Sequence, residues 1–151
     1  MTSPSAIDIH THIVPASLPP YLGKVSDIAW PSVEHVDCNH ARVMVGGKPY
    51  RDIEDNCWNA GRRVEEMTAM GIARQVLSPM PELLSWWLPS GDAQTLSRHV
   101  NEEIAALVAE APDRFIGFGM VPLQSVELAI EELVHLTGTL GLKGVEIGTN
   151  V

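Results

Sequence analysis

Two histidines one residue apart, His10 and His12, close the stretch Ile7-Asp8-Ile9-His10-Thr11-His12. Side chains alternate along an extended strand, so Asp8, His10 and His12 fall on one face and Ile7, Ile9 and Thr11 on the other. The apolar face can pack under helices. Imidazoles at i and i+2 lie about 6.6 Å apart along such a strand, close enough to bind one ion at about 2.1 Å each. Metal binding gives a polar face a reason to exist among apolar neighbours, with Asp8 able to orient a ligand histidine. Spacing alone equally admits two exposed histidines on an edge strand.

Other residues invite chemistry with less force. His35, Cys38 and His40 supply soft ligands in a His-x-x-Cys-x-His pattern, but no fourth partner is evident and the segment reads as hairpin surface. Arg51 by itself reads as a solvated hairpin charge. Trp86-Trp87 follows a strand and suits either a pocket wall for a planar substrate or loop packing. Glu82 in the same loop and Glu146 on the last strand leave their orientation open. His99 and His135 fall within or near the end of helical patterns and read as structural.

The elements that must position these residues follow in order. A strand ends at His12, and a loop with Pro19-Pro20 and Gly23 interrupts regular structure. Between Val33 and Ile53 a small β excursion is expected, with Ala41 to Val45 and Lys48 to Arg51 joined at Gly46-Gly47. Asn59 suits an N-cap for a helix running to Gly71. Ala73 to Met80 reads as a buried strand. A helix over Ala93 to Ala111 carries Leu96, Val100, Ile104 and Leu107 on one stripe. Phe115 to Val121 is a third strand. A helix from Ser125 to Gly138 is expected to turn Val126, Ile130, Leu133 and Val134 inward, and Gly144 to Ile147 is a fourth strand.

Strand and helix alternate with short turns, the signature of parallel βαβ units. A complete (β/α)8 barrel needs about 250 residues, and this chain has 151. The expected fold is therefore α/β: the N-terminal half of a TIM barrel, four parallel strands, with a β-hairpin insertion at about residues 20–55. Residues 1–151 would form one partial domain whose other half lies outside this chain. An open four-stranded α/β sheet is the alternative.

Composition narrows the partners. Nineteen Asp and Glu face ten Lys and Arg, for a formal charge of −9, which argues against nucleic acid or an anionic membrane. Hydrophobic residues at 45% indicate a globular chain. No apolar run reaches membrane-spanning length, and two cysteines make no disulfide framework, so a cytoplasmic home is expected.

Several segments carry a family resemblance. Ile7 to Pro15, Lys48-Pro49-Tyr50-Arg51, Asn56-Cys57-Trp58-Asn59, Arg63-Val64-Glu65-Glu66-Met67, Pro112-Asp113-Arg114-Phe115, Val121-Pro122-Leu123-Gln124 and Gly144 to Thr149 occur in this order. Together they resemble the aminocarboxymuconate-semialdehyde decarboxylases of the amidohydrolase superfamily, metal-dependent (β/α)8 barrels. The resemblance implies a carboxy-lyase acting on a small unsaturated or aromatic carboxylate, with zinc or another divalent ion and a homodimeric complete protein. It makes His10 and His12 the first two metal ligands and Arg51 the hairpin arginine gripping a substrate carboxylate; on a barrel, Trp86 after the second strand falls on the functional face, where it can wall the substrate pocket. A guanidinium fork pairs two carboxylate oxygens at once. The remaining ligands and the catalytic acid/base are expected in segments after strand four, so no catalytic residue is assigned here. Alternatives are a metal-dependent hydrolase or lactonase of the same superfamily, and a truncated fragment without activity.

Overall fold

The computed structural model describes residues 6–149. Its main sheet has four strands, β1 (Ala6–Ile13), β5 (Ile72–Pro79), β6 (Phe115–Gly119) and β7 (Gly144–Val145). They lie side by side in chain order and every pair is parallel. A doubly wound sheet would reverse its strand order partway across. This one does not, and its topology is that of a partial (β/α)8 barrel.

The connections are α1 (Ala60–Ala69), α2 (Ser90–Glu110) and α3 (Val126–Val134). Asn59 caps α1 by accepting from the Arg62 amide at 3.0 Å. Gly71 ends the turn after α1 at φ +72, a conformation that suits glycine. The stripe Leu96, Val100, Ile104 and Leu107 of α2 is buried against the sheet, as the sequence spacing requires. Gly117 and Gly119 let α2 approach β6 closely. A Cβ on Gly117 would stand 2.5 Å from Leu142, and one on Gly119 would stand 2.4 Å from Asn101 Oδ1.

The excursion between β1 and β5 is larger than a hairpin. β2 (Pro31–His35), β3 (His40–Val45) and β4 (Lys48–Glu54) form a three-stranded antiparallel sheet in the order β2-β3-β4. β2 hides from sequence reading because charged and polar residues fill a strand whose partner supplies the apolar side. Between the pairs Val43–Arg51 and Met44–Pro49 the register slips, leaving Tyr50 as an extra residue on β4.

Two expectations about apolar faces fail. Val126, Ile130, Leu133 and Val134 of α3 point outward, at 69, 57, 43 and 65% exposure. The inward face instead carries Glu132, wholly buried, whose Oε2 accepts from both Nε and Nη2 of Arg98 at 2.8 Å. Asn101 Nδ2 donates to the other oxygen at 2.8 Å, and Asn101 also bonds both backbone groups of Met120. A buried carboxylate with charged and neutral donors joins this face of α3 to α2. α3 continues into a wider π turn, His135–Thr139, that buries Leu136.

The second failure is on β1. Ile7 and Ile9 are exposed at 55 and 76% and do not lie under a helix. Asp8 pairs with Gln75 but Thr11 pairs with Leu77, so three residues of β1 span what two span on β5. The bulge breaks the strict alternation.

Candidate metal centre

The bulge decides how the N-terminal residues are shared between the two faces of β1. Asp8 and Thr11 both pair with residues of β5 that stand two apart, Gln75 and Leu77, and so share a face. Asp8 therefore lies opposite His12 and not beside it. Its Oδ2 accepts from Gln75 Nε2 at 3.4 Å and its Oδ1 from the His10 backbone amide at 3.2 Å. Among the described residues its hydrogen bonds reach no imidazole. His10 and His12 line a cleft on the other face with Ile9, Val76, Ser78, Phe118, Val145 and Glu146.

Within the cleft the two rings meet edge-on, 4.9 Å between centroids. His12 Nδ1 is 3.0 Å from the Pro79 carbonyl oxygen. That oxygen can only accept, so His12 carries its proton on Nδ1 and turns the Nε2 lone pair into the cleft. Ser78 Oγ, 3.2 Å from the same Nδ1, donates to the Thr11 carbonyl at 3.0 Å. His12 Nε2 faces His10 Nε2 at 3.3 Å. Two nitrogens held about 2.1 Å from one ion at a near-tetrahedral angle stand about 3.4 Å apart. The pair thus fits two adjacent corners of one metal's coordination shell.

Glu146, whose orientation the sequence left open, turns into the same cleft. Its Oε2 lies 3.6 Å from His12 Nδ1 and is buried without a hydrogen-bond partner. The oxygen stands beside Nδ1 of His12, at the other side of the ring from the Nε2 that faces His10. Among the described residues, no group of three or more His, Cys, Asp or Glu comes close enough to hold an ion. Two protein ligands leave further corners of the shell to be filled from elsewhere.

Glu146 also borders a second hollow, lined with Leu84, Trp86, Val121, Leu123, Gln124, Ile147 and Gly148. Ser85, buried and at φ +50, turns the chain so that the two tryptophans diverge. Its carbonyl is held by Gln124 Nε2 at 3.0 Å. Trp87 packs against the core and donates to the Ala29 carbonyl at 3.1 Å, whereas Trp86 stays 55% exposed at the hollow. Loop packing is therefore the part of Trp87, while Trp86 lines the hollow.

Arg51 lies on β4 with its guanidinium carbon 5.8 Å from the centre of the Tyr50 ring. Tyr50, the bulged residue, donates its hydroxyl to Glu82 and so links the insertion to the loop after β5. Arg51 lines neither the histidine cleft nor the Trp86 hollow.

His35, Cys38 and His40 do not assemble. His35 Nε2 bonds the Ala16 carbonyl at 2.7 Å, His40 Nδ1 bonds Asp37 at 2.9 Å, and Cys38 is exposed and free. His99 is similarly engaged with the Ser17 carbonyl at 2.9 Å.

Sequence reasoning missed Arg63 and Ser78. Arg63 is buried, and desolvation pushes its guanidinium below the usual value. Its spacing with Ala60 and Met67 on the buried stripe of α1 was the available signal.

A family model described as amidohydrolase matches residues 7–151. The chain is 39% identical over 145 residues to 2-amino-3-carboxymuconate-6-semialdehyde decarboxylase of Dictyostelium discoideum, covering 96% of this chain and 40% of that protein. It is 36% identical over 122 residues to gamma-resorcylate decarboxylase of Polaromonas sp., covering 81% and 32%. Among solved structures, 5-carboxyvanillate decarboxylase of Novosphingobium aromaticivorans, complexed with manganese and 4-hydroxy-3-methoxy-5-nitrobenzoic acid, superimposes with a TM-score of 0.58 at 30% identity, over 62% of this chain and 27% of that one. The chain thus spans well under half the length of these relatives.

Proposed function

The chain belongs to the amidohydrolase family, and from that we propose that it carries the first part of the active site of a divalent-metal-dependent carboxy-lyase. His10 and His12 would hold the ion through Nε2, zinc or another divalent metal. The observation that carries this reading is the 3.3 Å approach of the two Nε2 atoms, with His12 committed to the Nδ1–H form by the Pro79 carbonyl. A bound ion there supplies positive charge and Lewis acidity beside the substrate.

The chain's own residues do the rest of what this half can do. Pro79 and Ser78 hold the His12 ring in one orientation. Trp86 offers a flat apolar wall at the hollow that Glu146 joins to the histidine cleft. Arg51 would bind a substrate carboxylate by a two-point fork, after the insertion or the substrate brings the two together. Loss of CO2 leaves an electron pair on carbon, so a cation and a guanidinium near the scissile bond suit that reaction.

The similarities at 39% and 36% to decarboxylases of an open-chain and an aromatic acid support a small unsaturated or aromatic carboxylate as substrate, of which 2-amino-3-carboxymuconate-6-semialdehyde is our first choice. We place the complete protein in the cytoplasm as a homodimer. The test is to incubate the complete protein that carries these residues with that semialdehyde and, separately, with 2,6-dihydroxybenzoate. CO2 release without net addition of water supports the reading. Addition of water without CO2 would assign a hydrolase instead. Metal content, measured on the same preparation and on His10→Ala, should be stoichiometric in the first and lost in the second.

A further inference from the structure

A chain of hydrogen bonds, buried at Arg63–Gln75 and exposed at its Asp8–His10 end, runs along the face of β1 opposite the histidines. Arg63 of α1 donates through Nη2 to the His12 carbonyl at 2.8 Å and through Nη1 to Thr11 Oγ1 at 3.3 Å. The same Nη1 lies 3.3 Å from Gln75 Oε1, and Nε donates to the Asn56 carbonyl at 2.8 Å. Gln75 passes the contact on through Nε2 to Asp8 Oδ2 at 3.4 Å. Asp8 Oδ1 closes the path on the His10 backbone amide at 3.2 Å. The network therefore begins on the backbone of one histidine and ends on the backbone of the other.

We propose that Arg63, acting with Gln75 and Asp8, is the positioning device of the two-histidine centre. The reasoning rests on the bulge. A bulged strand has lost part of its ladder to β5, so the segment Ile9–His10 lacks the partners that would otherwise fix its backbone. The network restores that constraint from the helix side. A guanidinium is suited to this because its planar fork reaches four acceptors on three segments at once, which a lysine ammonium cannot match in geometry.

The arrangement also explains a costly feature. Arg63 is 8% exposed and forms no ion pair with a carboxylate among the described residues. Glu66 and, through the Gln75 amide, Asp8 supply negative charge near it. A buried arginine that served only to fill space could be replaced by an apolar side chain. One that sets the spacing of two imidazoles could not. Groups that orient metal ligands from outside the coordination shell commonly change metal affinity by about 10–100-fold when removed.

This inference rests on the metal reading of His10 and His12, and the experiment separates the two. In the complete protein, zinc affinity is measured by competition with a chromophoric chelator for wild type, His10→Ala, Arg63→Met, Arg63→Lys and Leu107→Ala. The last variant truncates a core side chain of α2 away from β1 and controls for general destabilisation. The expected result is at least a tenfold loss of zinc affinity in Arg63→Met, a smaller loss in Arg63→Lys, and none in Leu107→Ala at temperatures where all are folded. Wild type and His10→Ala binding zinc equally would overturn the metal reading, and this inference with it. Zinc loss in His10→Ala with wild-type affinity in Arg63→Met would overturn the inference alone. Should Arg63→Met fail to fold, Gln75→Leu carries the test. It cuts the path to Asp8 while leaving the guanidinium on the His12 carbonyl, and undiminished zinc affinity there refutes the proposal.

Discussion

Replacing Arg98 by methionine should remove more stability than any surface ion pair would explain. Glu132 is wholly buried, and its Oε2 takes both Arg98 donors at 2.8 Å while Oε1 takes Asn101. Without Arg98 the carboxylate keeps one neutral donor and no counter-charge. Breaking a buried pair on one side costs about 3–5 kcal/mol, whereas an exposed pair is worth about 0–1 kcal/mol. Arg98 itself is about a third exposed, so the cost falls on the glutamate side. With a urea slope of about 2 kcal/mol/M, a loss of about 4 kcal/mol moves the unfolding midpoint down by about 2 M. The pair Arg98→Met, Glu132→Met should recover most of that loss, because an apolar contact of similar volume replaces the ion pair. Urea unfolding followed by tryptophan fluorescence on the four proteins of the cycle is the assay. A single-variant loss below about 1 kcal/mol would refute the claim that this carboxylate joins α3 to α2 as a buried charge, since it would then behave as a surface charge. A double variant no more stable than Arg98→Met would refute it as well.

Other expectations can be checked separately. Gly119→Ala drives a Cβ to within 2.4 Å of Asn101 Oδ1, an atom tied to the Met120 amide, and should cost about 1–3 kcal/mol by overpacking, read as a lowered urea midpoint. Arg51→Ala should raise KM for a carboxylate substrate severalfold while metal content stays stoichiometric, and metal loss would contradict its role. Trp86→Ala should likewise raise KM at constant metal content. His40 titrates above its ordinary value because Asp37 hydrogen-bonds the ring at 2.9 Å and adds a negative charge, while Asp37 titrates below its own because it accepts from the Asn39 amide and from His40. The His40 contribution is therefore full below about pH 6.5 and is lost as pH rises through the raised value, whereas the Asp37 contribution is lost on acidification. An NMR titration should find the His40 value elevated in wild type and returned towards normal in Asp37→Asn.

Much of the architecture was legible in the sequence because it depends on local periodicity. The α2 stripe, the Asn59 cap, the Gly71 stop and the Gly46-Gly47 turn are fixed by neighbours a few residues away, where spacing and φ preferences operate. The repeated βαβ order then led to parallel strands in sequence order. The His-x-His pair was visible for the same reason, as two side chains capable of ligation at a strand end.

What the sequence could not determine was decided by partners distant along the chain. Strict alternation put Asp8 with the histidines, but a bulge arises from register against β5, and register is a property of two strands. The apolar side of α3 was legible, yet its inward glutamate meets Arg98 and Asn101 on another helix instead. β2 became a strand through its pairing with β3, and Trp87 became a packing residue through the Ala29 carbonyl. Residue type and spacing named the two histidines. Only the tertiary structure brought their Nε2 atoms to 3.3 Å, placed Pro79 and Glu146 beside one, and ran Arg63 behind both. The contacts of Pro79, Glu146 and Arg63 with His12 join residues more than fifty positions apart, where the local pattern of a chain carries no information.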